Sequence, residues 1–282
     1  MTNFIPSGPL DTLGAMAELE LLLLELLNDL KPTDWERPTL AGAWRVKDIV
    51  AHLLDGQIRG LSMGRDGYFG EAPAQITGYA DLVSFLNQLN ADWVKAMRRV
   101  SPSVLVSMLA MTGPAYRAYL QTLPPEAPAL FSVAWAGEET SANWFHIARE
   151  YTEQWHHQQQ IRWAVGQTAP LYAARLYRPY LDTSLRALPH HYREVAAEPG
   201  ISIAIDVAGE GGGSWLLLRQ GDAWLLGQAP GVHAQARAVL PEDLAWRLFT
   251  KGASQAEVRE RIQTSGPPAL LEPLWRLTAV MA

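Results

Sequence analysis

The chain of 282 residues contains no cysteine. That excludes disulfides, thiolate metal ligands and a cysteine nucleophile together. If thiol chemistry takes place, the thiol arrives with a cosubstrate. A basic excess is missing as well: 23 Lys and Arg stand against 29 Asp and Glu, for a net charge of -6. No nucleic-acid partner is therefore expected, since phosphates call for a basic face. No apolar run reaches the length needed to span a bilayer, because the leucine-rich stretch at residues 19–30 is broken by Glu20, Glu25 and Asp29. The first residues, MTNFIPSGPLD, lack the basic-then-apolar pattern of a signal peptide. A cytoplasmic protein with no membrane partner is expected. Internal repeats and low-complexity segments are absent too.

What is present is a globular composition, 48% apolar and 18% charged, not a disordered one. At this length two domains are expected. Residues 11–30 place leucines on most turns with acidic residues between them, the pattern of an amphipathic or largely buried helix. Pro32 ends that pattern, and residues 31–44 form a turn-rich connection. A second helix is expected from near Val46, with Val46, Ile49, Val50, Leu53 and Leu54 at the helical period and His52 among them. Residues 60–77, rich in Gly and Pro, read as a loop bordering a cleft. Residues 79–100 are again helical in pattern. Ser101-Pro102 reads as an N-cap followed by proline at the first position of a helix to about Thr122, before Pro124, Pro125 and Pro128. Helices over residues 143–166 and 170–188 complete a helical bundle assigned to residues 1–190.

The character changes at Pro199-Gly200. Residues 201–207 alternate with period two, and residues 214–219, 223–226 and 233–239 read as further short strands. Helical patterns follow at residues 241–250, 254–263 and 270–281. Strands followed by helices, without βαβ alternation, predict a small α+β domain over residues 199–282.

The stretch at residues 143–166, NWFHIAREYTEQWHHQQQIRWAVG, has no proline and no glycine before Gly166. His146, Glu150, Glu153 and His157 recur at steps of four, three and four, which puts them along one face of a helix. Imidazole nitrogens and carboxylate oxygens are ligands for a divalent metal such as zinc. Glu153 and His157, one turn apart, can present ligand atoms to one ion. A third ligand from a neighbouring helix would complete a two-histidine, one-carboxylate set with an open position. His52 is the best third ligand because it interrupts an otherwise apolar helix face. Other readings of the same residues stay open. A Glu-His pair at this spacing is also a common surface ion pair. His52 alone fits a hydrogen-bonded core histidine. His146 with Glu150 is an alternative pair, and His156 competes with His157. His190 and His191 read as solvated residues near the domain boundary, and His233 falls on an expected strand. Trp35, Trp44, Trp144, Trp155 and Trp163 read mainly as core.

These residues also resemble a family. Asp34-Trp35, Pro38-Thr39 and the run from Gly42-Ala43-Trp44-Arg45 through Val46-Lys47-Asp48 to Ala51-His52-Leu53 look like one of its signatures. That signature is the N-terminal one of the mycothiol-dependent maleylpyruvate isomerase family, within the DinB-like metalloenzyme superfamily. Glu153 and His157, followed by Ile161-Arg162, Ala164 and Gly166, resemble the family's second signature. The part from Ile201 onward resembles its smaller sterol-carrier-like domain.

The resemblance implies an α + (α+β) fold: a DinB-like four-helix bundle followed by a small sterol-carrier-like α+β domain. It implies a divalent metal, zinc first with nickel or another ion as alternatives, held by His52, Glu153 and His157. Those are the same three residues chosen from spacing. It also implies a low-molecular-weight thiol such as mycothiol as cosubstrate and a small electrophilic molecule as substrate. The reaction would be thiol transfer, or isomerisation through a reversible thiol adduct. Glu150 and Arg162 are the candidate catalytic residues. Where family members often carry an aspartate three residues after the metal histidine, this chain has Gln160. The family also uses basic residues of the small domain near its cleft, and Arg219, Arg237 and Arg247 are available here. Two other expectations stand beside the first. One is a metal-dependent hydrolase with Glu150 as base. The other is a non-catalytic small-molecule-binding module whose closed site takes His146 or His156 as fourth ligand. A homodimer formed through an exposed helix face is a further expectation.

Overall fold

The computed structural model of the chain describes residues 4–70 and 76–280. Helix α1 (Leu13–Asp29) buries Met16, Leu19, Leu23, Leu26 and Leu27, the stripe that its leucine spacing predicts. Helix α2 (Val46–Gly60) opens on a cap in which the Arg45 backbone N–H donates to Asp48 Oδ2 at 3.1 Å. It runs on into a π-helical turn at Leu61–Arg65, where a loop was expected. Two glycines let the backbone come close to neighbouring rings here: those of Tyr116 and Tyr119 occupy the space that a Cβ would need at Gly60 and Gly64. Residues 71–75 of that expected loop lie outside the described residues.

Helix α3 (Tyr79–Met97) buries only Val94 and rests on α2. Helix α4 (Pro102–Gln121) starts as expected, with Ser101 Oγ accepting from the Val104 N–H at 3.4 Å and Pro102 at its first position. Helix α5 (Asn143–Val165) is the longest and ends at Gly166, whose φ of 77° is the left-handed conformation that terminates a helix. Helices α1, α2, α4 and α5 pack on one another as the bundle. A core of leucine, isoleucine and valine side chains with Trp35 lies between them.

The helix expected over residues 170–188 is three elements: a 3-10 turn at Ala169–Tyr172, α6 (Ala174–Ser184) and α7 (Ala187–His191). The break falls at Ala173, whose ψ of 136° is extended, after a turn that has proline in its first positions. Four strands follow: β2 (Ser202–Val207), β3 (Gly213–Gln220), β4 (Ala223–Gln228) and β5 (Ala236–Leu240). His233 precedes β5 instead of lying on it. Helices α8 (Glu242–Phe249) and α9 (Gln255–Arg261) lead to β6 (Gln263–Ser265). The last expected helix is only α10 (Pro268–Leu271) followed by a 3-10 turn at Glu272–Arg276. Pro273 there cannot donate the next helical hydrogen bond.

An additional strand of two residues, β1 (Ile5–Pro6), pairs with β4 and completes a mixed sheet of order β1-β4-β3-β2-β5-β6. Among the described residues only the β2–β5 pair is parallel. The inward residues Ile203, Ile205, Trp215, Leu217 and Trp224 join one core with Trp155, Tyr177 and Tyr180 of the helical part. The chain is thus an N-terminal helical domain followed by a mixed six-stranded sheet with helices. Its central helix α5 carries the stripe singled out above.

Candidate metal centre

The steps along α5 place Glu153 and His157 one turn apart, and α2 brings His52 to them from the facing side. One ligand atom from each of the three lies within 4.8 Å of the other two. Glu153 Oε2 is 3.6 Å from His157 Nε2. The His52 and His157 rings meet edge-on with centroids 4.7 Å apart. Trp44 packs on both, at 4.9 Å from His52 and 6.3 Å from His157. No fourth histidine or carboxylate joins the group among the described residues.

The side chains around the group orient it. His157 Nδ1 lies 2.9 Å from Gln160 Oε1, so Nδ1 carries the proton and Nε2 presents its lone pair toward Glu153 and His52. Burial pushes the His157 and His52 imidazoles well below the usual histidine range, so both are neutral. Burial raises the Glu153 carboxyl to about 7, against the opposing charge of Arg149. His52 Nδ1 is buried without any hydrogen-bond partner. Two neutral imidazoles, one with an orphaned nitrogen, and a carboxylate short of positive charge fit a divalent cation.

The other expected residues are placed as follows. Glu150 is one turn from Glu153, ion-paired at 2.5 Å with Arg149 and hydrogen-bonded to Tyr116. Burial opposes ionisation of Glu150, but Arg149, His146 and Tyr116 outweigh it and hold the carboxyl below its ordinary value. His146 Nδ1 faces Arg149 Nη2 at 3.1 Å, and burial takes this imidazole down to about 4. His156 donates from Nδ1 to the Thr152 carbonyl at 2.8 Å, and burial likewise takes it to about 4. Neither His146 nor His156 belongs to the triad.

Arg162 reaches away from the triad: its Nη2 donates to the Leu22 carbonyl at 2.9 Å and its Nη1 to the Gln167 carbonyl at 3.3 Å. It clamps α5 to α1. Arg237 pairs with Asp206 at 2.7 Å, and Arg247 bridges Asp243 and Glu257 beneath Trp163. Arg219 lies over Trp224. Among the described residues, none of these three arginines forms a hydrogen bond or ion pair with the triad. His191 is not a solvated linker residue, since its Nε2 bonds the Pro273 carbonyl at 2.7 Å.

Two members of the site went unnoticed in the sequence. Arg149 lies four residues before Glu153, on the same stripe, and that spacing was a usable signal. Tyr116 comes from α4, which no local pattern connects to α5.

The chain matches no curated protein. Two crystal structures, one of the mycothiol-dependent maleylpyruvate isomerase and one of a point variant of it, share the fold. Each has 13% identity over 90% of this chain and 91% of the other, with TM-scores of 0.51 and 0.50. Residues 17–162, more than half of the sequence, match the family described as the mycothiol maleylpyruvate isomerase N-terminal domain. The chain belongs to that family.

Proposed function

We propose that this protein is an enzyme that activates a small, mycothiol-like thiol at a divalent metal held by His52, Glu153 and His157. The activated thiol is transferred to a small electrophile, or isomerises it through a reversible adduct. The observation that carries the reading is the convergence of the three ligand atoms from two helices, with His157 aimed by Gln160. Family membership supports it, and the absence of cysteine means that the thiol must come from outside the chain.

Three protein ligands leave one position of a tetrahedral centre for an exogenous ligand. Zinc suits two nitrogens and one oxygen; nickel and other first-row ions suit them too, so availability selects among them. When bound, such an ion lowers the pKa of a thiol and favours the thiolate at neutral pH. The protein's own residues supply the rest. Gln160 fixes the tautomer of His157, and Trp44 packs against both imidazoles. Glu150, tied to Arg149 and Tyr116, stays ionised and holds that charge next to the site.

The same anchoring weakens the hydrolytic reading, because a carboxylate held below its ordinary pKa is a poor general base at neutral pH. A purely structural ion would call for a fourth protein ligand, and the group has none among the described residues.

The test is cobalt(II) substitution followed by titration with a small thiol. A new thiolate-to-cobalt absorption band, lost in His157→Ala, is the expected result. A cobalt spectrum indifferent to every thiol tried would remove this reading.

A further inference from the structure

A cavity apart from the triad lies between α1 and α4. Its volume is about 140 Å³, room for a molecule of about the size of benzene. The walls are largely apolar, with Leu21, Leu23 and Leu24 from α1 and Leu109 and Pro114 from α4. None of His52, Glu153 and His157 lines it. Three polar side chains do: Gln57 from α2, Glu20 from α1 and Arg117 from α4.

These groups are only partly satisfied by the protein. Gln57 is 6% exposed, and its Oε1 accepts from the Thr112 hydroxyl at 2.6 Å, which fixes the amide. Among the described residues its Nε2 has no hydrogen-bond partner, and a buried donor left unbonded costs its desolvation. Glu20 gives Oε2 to Arg117 Nε at 3.2 Å, while none of the described residues donates to its Oε1. Burial raises the Glu20 carboxyl above its ordinary value against the opposing Arg117, as befits a carboxylate short of donors. The two unsatisfied groups face one point. Gln57 Nε2 is 3.3 Å, and Glu20 Cδ 3.6 Å, from the position that a Cβ at Gly113 would take. Because residue 113 has no side chain, that point stays free.

We propose that this cavity binds a small uncharged carboxamide with an apolar body, its carbonyl accepting from Gln57 Nε2 and its amide N–H donating to Glu20 Oε1. A carboxamide carries an acceptor and a donor side by side, which matches the pair of groups that flank Gly113. A carboxylate would meet the like charge of Glu20, and an ammonium that of Arg117. The leucines and Pro114 take the alkyl part. This site does not depend on the metal-and-thiol reading above, and either can fail without the other.

Four molecules with one alkyl group test it: isovaleramide, methyl isobutyl ketone, isovalerate and 3-methylbutylamine. Each is titrated into the full chain labelled with nitrogen-15, and the Gln57 side-chain amide signals, identified by their absence in Gln57→Leu, are followed by NMR. Isovaleramide should give a saturable shift and bind about tenfold or more tightly than the ketone, which keeps the acceptor but lacks the donor to Glu20. The acid and the amine should bind more weakly than the amide as well. Two variants, read at the backbone N–H of Gly113, locate the site. Ala17→Leu fills the cavity from α1 and should abolish binding while leaving Tm unchanged or raised. Gln57→Leu keeps the volume and removes the donor, and should weaken isovaleramide about fivefold. Thr112 still has the Met108 carbonyl at 2.9 Å in that variant, so the fold is protected. No saturable shift, equal affinity across the four molecules, or undiminished binding in either variant overturns the proposal and leaves the cavity to water.

Discussion

Gln160 Oε1 sits 2.9 Å from His157 Nδ1, one turn further along α5, and so decides which imidazole nitrogen is free to bind a metal. A neutral amide does here what a carboxylate does in many metal sites: it accepts the second N–H and fixes the ring. Gln160→Leu should therefore leave the fold intact while weakening metal affinity by about 10–100-fold. Gln160→Glu should restore or tighten it. Competition against a chromophoric chelator measures both. Equal affinities for all three proteins would show that Gln160 does not orient the ligand.

The pH dependence of metal binding follows from the triad. His52 and His157 are already neutral, because burial has taken both well below the usual range. Glu153, raised by burial to about 7, is the group that a metal must deprotonate. Protons therefore compete below that value and cease to above it. Affinity should climb by about one logarithmic unit per pH unit up to about pH 7 and flatten beyond. Two ordinary histidines would instead give a slope of about two ending near pH 6.5. Affinity independent of pH between about 5.5 and 7 would contradict the burial of Glu153.

Gly60 and Gly64 invert the usual rule for helical glycines. Alanine normally stabilises a helix interior by about 0.5–1 kcal/mol relative to glycine. At these two positions the rings of Tyr116 and Tyr119 already occupy the space of the new methyl group. Gly60→Ala should cost about 1–3 kcal/mol through overpacking, seen as a lower Tm. It should also disturb Tyr116, and with it the Glu150–Arg149 pair. A Tm equal to or above that of the native chain would show that the turn can relax around a side chain.

Much of this was legible in the sequence, for reasons that can be named. Helix α5 was visible because residues 143–165 contain no breaker and Gly166 follows them. His52 was visible because a polar residue among Ile49, Val50, Leu53 and Leu54 calls for a partner. The role of Arg162 was not: its place in a motif suggested chemistry, but its guanidinium bonds backbone carbonyls at the α1–α5 contact. Strand β1, two residues long, carries no periodicity, and it exists only because β4 offers it an edge. The contact of Tyr116 with Glu150 depends on how α4 packs against α5, which spacing within one helix cannot encode. Pro170 and Pro273 sat in view, yet the apolar period around them outweighed the breaks that they impose.

The central claim is that His52, Glu153 and His157 hold a metal, and elemental analysis of the purified protein tests it most directly. The native chain should carry about one equivalent of a divalent metal, or take it up on titration, and the His52→Ala, His157→Ala double variant should carry none while keeping its helical signal. A native protein that neither contains nor binds a divalent ion would contradict the account, leaving the stripe on α5 as a buried polar seam and nothing more.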